Sequence, residues 1–245
     1  MLGQSHGMAF VAFLMASVLA STSWANAFNV KPVRVFLGPG QLTQTLEITN
    51  ESGRTLSLSL NAVSWSQDAA GGQLEAATEE VVFFPKLFLL EPGATRSVRV
   101  GLKSTTAEAL ERTYRLYIEE LPTQREEQGT TLQVLLRVGI PIFFAPQQDR
   151  VTASIDAVTL QGCALSFVVS NTGSSHFRAQ SLRAEFLGAD HTLHYTQDLG
   201  GRYFLAGAAG PFAVEVPAEP CAEVQRARIA LVADKVQTQY ETDRE

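Results

Sequence analysis

Residues able to do chemistry are few in this chain, and their spacing decides against most of it. His191 and His194 sit three apart beside Asp190 in GADHTLH, a spacing that would offer a metal one face of a helix. The segment lies beside Gly188 in a β-rich context, where residues i and i+3 point to opposite faces, so an exposed loop is expected and no metal site. After residue 27 no Ser sits in a G-x-S-x-G elbow, and no Gly-rich phosphate loop is present. Glu119 and Glu120 are adjacent and diverge on a strand, while Glu79 and Glu80 lie in a polar loop. Neither an enzyme nor a cofactor site is expected.

What remains is the chemistry of association. The stretch TLQVLLRVGIPIFFAP, residues 131–146, carries one charge, Arg137, and is apolar on both parities when extended. Ordinary strands run about five or six residues. The stretch is too short to cross a membrane as a helix, which needs about 20 apolar residues, and Gly139 and Pro141 argue against a helix. Two readings stand: a central strand buried on both faces by its own domain, or a strand covered by another protein.

Composition narrows the setting. MAFVAFLMASVLA, followed by STSW and the small-x-small end at Ala25-Asn26-Ala27, has the form of a secretory leader cut after Ala27. Its n-region, MLGQSHG, departs from the pattern in having no Lys or Arg. A buried N-terminal helix or membrane anchor is the other reading of that run, which is short for a span. No charged residue of the Asp, Glu, Lys or Arg type lies in residues 1–27, so the mature chain keeps the net charge of −6. A mildly acidic chain lacks the basic field of a nucleic-acid protein. Both cysteines, Cys163 and Cys221, lie in the second half, and export to an oxidising compartment favours a disulfide between them.

The elements that must position these residues read as strands and turns. VRVFLGPGQLTQTLEITNESGRTLSLSLNAVSW gives an extended segment, a Gly-Pro-Gly turn, an alternating strand, an Asn-Glu-Ser-Gly turn and a second alternating strand ending at Trp65. Turn signals about every ten residues are the rhythm of a sandwich. TTAEALERTYR could form a short helical turn, whereas RTYRLYIEELP alternates up to Pro122. After Pro146, QQDR has the composition of an inter-domain joint, and a second β-rich series follows. In it SFVVSNTGSS echoes TLEITNESGR, strand then Asn then Gly turn, which supports two sandwiches in tandem.

VKPVRVFLGPG, LEITNES, VSW, FFPKLFLLEPGATRSVRVGL, TYRLYIEELP and LLRVGIPIFFAP, in that order behind a leader, resemble the periplasmic chaperones of chaperone-usher pili. YRLYIEELP and the Pro in the last strand are most similar to the archaic branch. The match is dense over the first half and loose over the second, through SFVVSNTGSSHFRAQSL and ARIALVAD. The resemblance implies an all-β protein of two immunoglobulin-like β-sandwich domains, residues 28–146 and 151–245, with a cleft between them. It also implies a function: lending a strand to pilus subunits that lack one, in the periplasm, and delivering them to an outer-membrane usher. An unfilled groove leaves apolar core and backbone groups open to aggregation, and a donated strand covers both.

On this resemblance Leu132, Val134 and Leu136 match the donor residues, with Val138 and Ile140 continuing the parity, and side chains of opposite parity are expected in the protein's own core. Arg34 matches the first of two basic residues that bind the subunit's C-terminal carboxylate. The second position falls at or near Pro141, which leaves Arg137 as the substitute candidate and Arg115 as a weaker one. Arg99, Glu111 and Asp234 match an inter-domain salt-bridge network. Self-association of the free protein through its apolar edge is a further expectation. The alternative from another class is a secreted structural or adhesive β-sandwich protein; a pilus subunit would lack a strand and carry an N-terminal extension, whereas here a domain strand begins near Val33.

Overall fold

Period-two alternation becomes two stacked sheets in the first half of the molecule. The structure, a computed structural model, describes residues 28–122 and 134–244. The expected leader, residues 1–27, and Leu132 lie outside the described residues. Ten strands come first: β1 (Phe28–Lys31), β2 (Val35–Leu37), β3 (Thr43–Asn50), β4 (Leu56–Gln67), β5 (Gln73–Ala77), β6 (Val81–Phe84), β7 (Leu87–Leu90), β8 (Thr95–Leu102), β9 (Arg112–Glu120) and β10 (Arg137–Phe144). One sheet has the order β1-β3-β8-β6; the other has the order β2-β10-β9-β4-β5, with β7 also on β4.

Leu46 and Ile48 of β3 and Leu56, Leu58 and Leu60 of β4 turn inward while their polar neighbours turn out, because successive side chains alternate across a strand. They meet Val98, Val100, Leu116 and Ile118 in one apolar core. Pro32 and Pro85 stand where the chain leaves one sheet for the other, places where a missing N–H costs no ladder bond.

The second half repeats the architecture with β11 (Ala153–Gln161), β12 (Ala164–Asn171), β13 (Phe177–Leu187), β14 (Leu193–Asp198), β15 (Tyr203–Phe204), β16 (Ala209–Glu215), a single turn α1 (Ala218–Cys221), β17 (Arg226–Ala233) and β18 (Gln237–Asp243). The sheets are β11-β12-β16 and β14-β13-β17-β18, with β15 on β13. Phe167, Val169, Phe186, Ile229 and Leu231 fill this second, separate core. The expected disulfide, Cys163–Cys221, ties the β11–β12 turn to α1.

The strand–Asn–turn echo has a structural counterpart. β3 and β12 each end in a buried Asn. Asn50 Nδ2 donates to Arg54 O at 2.7 Å and Leu90 O at 2.8 Å, and Oδ1 accepts from Ser52 N at 2.9 Å. Asn171 Nδ2 donates to Ser175 O and Phe204 O, both at 2.9 Å, and Oδ1 accepts from Gly173 N at 2.9 Å. Both use the residues two and four ahead and one carbonyl from a distant strand. The two sandwiches share one turn device.

TTAEALERTYR contains no helical turn. Arg112 Nη2 donates to Ser104 O and Thr106 O, at 2.9 and 3.1 Å, and Gln147 Nε2 donates to Ala107 O at 3.1 Å. Side-chain donors thus occupy the carbonyls that a helix would use. Residues 147–150, read as a joint, are held on both sides: Gln147 N donates to Glu108 O at 2.8 Å, and Ser174 N donates to Arg150 O at 2.8 Å.

Candidate functional site

The opening stretch ends in β10, whose two edges differ. Along one it pairs antiparallel with β9 from Arg137↔Glu119 to Phe144↔Arg112. On the other, β2 joins it in parallel only from Ile142↔Val35 to Phe144↔Leu37. Glu120 N donates to Leu136 O at 2.9 Å, so even-numbered residues of β10 aim their amides at β9 and odd-numbered ones aim theirs at the other edge. The main-chain groups of Arg137 and Gly139 therefore face an edge unpaired among the described residues, while the Pro141 carbonyl already meets the start of β2 in the parallel register. Pro141 is tolerated inside the strand because its missing N–H falls on that open edge.

The even-numbered side chains form a ramp. Val134 is 77% exposed, Leu136 and Val138 are half-buried against the first core, and Ile140 and Ile142 are 2% and 0% exposed within it. The expected division, one parity for a partner and the other for the protein's own core, is corrected: one face serves both, and its exposure falls along the strand. Ile140, expected among the donor residues, is core. The reason is where the sandwich stops. Glu120, opposite Leu136, turns into the end of the core and pairs with Arg54, while Glu119 turns out and pairs with Arg137. Beyond that point no strand among the described residues continues beside β10's extension.

Odd-numbered residues face outward. The Arg137 guanidinium lies 3.7 Å from the Tyr117 ring centroid, and Arg115 crosses the Trp65 ring at 4.2 Å while pairing with Glu75. Both cations are already neutralised. Arg137, expected as a second anchor, stands on the outer sheet face and not at the open edge's end. Arg34 differs: it is half-buried on the bend before β2, beside Pro141 in the parallel register, and has no acidic partner among the described residues. The open edge of β10 thus ends beside Arg34.

Arg99, Glu111 and Asp234 are not brought together. Arg99 donates to Thr43 Oγ1 on the neighbouring strand, from Nη2 at 3.1 Å, and Asp234 Oδ1 accepts from Arg178 N at 3.2 Å. Glu111 does link the sandwiches, through a residue that sequence reasoning missed. Its Oε2 accepts from His176 N at 2.9 Å and contacts His176 Nδ1 at 2.6 Å. A carboxylate only accepts, so Nδ1 carries the proton. The His176 ring is buried and stacks on Phe143 at 3.6 Å, with Phe36 against Phe143 at 5.5 Å. His176 lies within the quoted SFVVSNTGSSHFRAQSL, but a lone His after a turn gives no signal of a partner 65 residues earlier.

His191 and His194 hold no metal arrangement: among the described residues no group of three or more metal-ligating side chains converges. Asp190 caps its own turn, accepting from Thr192 Oγ1 at 2.7 Å and Thr192 N at 3.0 Å. Those hydrogen bonds, the hydroxyl's foremost, hold its carboxyl below the usual range. No described helix is long and apolar enough to cross a membrane.

Comparison with known proteins bears on this geometry. The profile of the family described as "Pili and flagellar-assembly chaperone, PapD N-terminal domain" matches residues 27–149, half of the chain. No curated protein sequence is a match. Among solved structures, a chain of the CsuC–CsuE chaperone–tip adhesion subunit pre-assembly complex from the archaic Csu pili of Acinetobacter baumannii superposes with a TM-score of 0.62 at 14% identity, covering 88% of this chain and 98% of that one. The YadV chaperone superposes with a TM-score of 0.59 at 11% identity, covering 89% and 100%. The Pseudomonas aeruginosa CupB2 chaperone gives 0.53 at 15% identity, covering 88% and 99%. At these identities the likeness is one of fold.

Proposed function

The chain belongs to the pili and flagellar-assembly chaperone family, and from that premise we propose that it is a periplasmic chaperone that completes pilus subunits with its own strand and delivers them to an outer-membrane usher. The observation that carries this reading is the open edge of β10 with its apolar ramp, ending at Arg34. An incoming strand would pair with the main-chain groups of Arg137 and Gly139, while Val134 and Leu136, with Leu132 before them, would fill its groove. Each such side chain contributes roughly 1.5 to 3 kcal/mol on burial, reduced by the cost of association.

Direction follows from charge. β2 runs parallel to β10 and begins just past Arg34. A subunit strand lying in line with β2, parallel to β10, brings its C-terminal carboxylate to Arg34; an antiparallel one would bring its interior. The carboxylate with its guanidinium partner then sets the register. Pro141 ends the pairing on that edge, because it offers no N–H. In the free protein the same edge is the surface through which two copies would associate.

Co-expression with candidate subunits, followed by purification of a one-to-one complex, tests the proposal. Val134→Asp should abolish the complex while leaving the melting temperature of the free protein unchanged. Subunits that accumulate stably without this protein would refute the reading.

A further inference from the structure

Away from the edge strand, the contact between the two sandwiches is organised by Gln67, the last residue of β4. Its side-chain amide is used at both ends: Nε2 donates to Tyr203 O at 3.0 Å, and Oε1 accepts from Leu205 N at 2.8 Å. Those two residues flank Phe204, whose ring is buried in the second core and stacks on Phe177 at 5.0 Å. Trp65, two residues earlier on the same face of β4, meets the Tyr203 ring edge-on at 5.5 Å and shares a small apolar cluster with Phe143, Leu205 and Ala208. The turn that follows is shaped to fit. Gly71, with φ at +76°, lies against β16, and a Cβ there would stand 3.2 Å from Gly210 Cα and 3.1 Å from Arg202 Nη2.

Apolar contacts alone can slide; a planar amide bonded to two main-chain groups has one orientation. We infer that Gln67 is a positioning residue that sets the angle between the two sandwiches, with the Gly71–Gly210 approach as its stop. Glu111 and His176 supply the other fixed point on the far side of Phe143. Two points define the angle; with one removed, the sandwiches rock about the other. The angle decides how the second sandwich stands relative to Arg34 and the open edge. That this placement governs subunit capture rests on the proposed function, whereas the angle itself does not.

Gln67→Leu keeps the volume and removes both hydrogen bonds. In the full chain, backbone residual dipolar couplings fitted separately to each sandwich should stay internally unchanged, while the two alignment tensors cease to coincide. Subunit capture should fall about tenfold, a loss of about 1.4 kcal/mol. Gln67→Glu keeps the acceptor for Leu205 N–H and loses the donor to Tyr203 O, so a smaller divergence of the same kind is expected. Tensors that still coincide as in the native protein in both variants would overturn the inference. Diverging tensors with undiminished capture would uphold the positioning role and count against the angle's part in the proposed function.

Discussion

Arg34 is half-buried, has no acidic partner among the described residues and stands where the open edge ends. Under the proposed function a group in that state would receive the subunit's terminal carboxylate. Arg34→Ala should therefore weaken subunit capture by about 10- to 100-fold, the worth of a charge-assisted hydrogen bond of about 1.5–3 kcal/mol, with the melting curve unchanged; isothermal titration with a subunit's C-terminal peptide measures it. Asn50 and Asn171 are the opposite case. Each amide satisfies a carbonyl from a distant strand, Leu90 O or Phe204 O, so Asn50→Ala or Asn171→Ala leaves a buried acceptor unpaired. A loss of about 1–3 kcal/mol in urea unfolding is expected for each. Both Asn residues were legible as turn markers. Their cross-strand bonds were not, since nothing local to NES or NTG names Leu90 or Phe204.

At the scale of the element, β10 separates the two readings that its sequence left open. Val134 and Ile140 share a face and are chemically alike, yet one is exposed and the other lies in the core. Ile140→Ala should cost about 2–5 kcal/mol, whereas Val134→Ala should leave stability within about 0.5 kcal/mol and reduce capture only. Equal effects of the two on chemical denaturation would return β10 to the status of an ordinary buried strand. Pro141 was legible as an oddity, an imino acid amid strand formers. Its tolerance became explicable only when the phase of the β9–β10 ladder assigned its nitrogen to the open edge.

Across the whole molecule, two cores are joined by a small seam of Trp65, Phe143, Leu205 and Ala208, with Glu111–His176 and Gln67 around it. The disulfide lies wholly in the second sandwich and closes a separation of 58 residues. Its reduction should lower that sandwich's stability by about 4 kcal/mol on chain-entropy grounds, and the first sandwich should hardly respond. Amide hydrogen exchange reads this directly: protection should fall in β12 and β17 and persist in β4 and β9. An equal loss of protection in both sets would mean that the seam couples the sandwiches into one cooperative unit.

Alternation, turn residues and the order of motifs are properties of the chain itself, so the all-β class, the tandem of two sandwiches, the disulfide and the family were legible without coordinates. Arg34 was singled out as a candidate in the same way, through the motif that holds it. Tertiary structure alone decided three things: where along β10 the core stops, which partner Glu111 takes, and which side chain clamps the sandwiches together. The first depends on whether neighbouring strands continue beside an apolar residue, and the other two on meetings between segments 65 and 136 residues apart. Local pattern determines which face a side chain shares; only the packed fold determines what lies against that face.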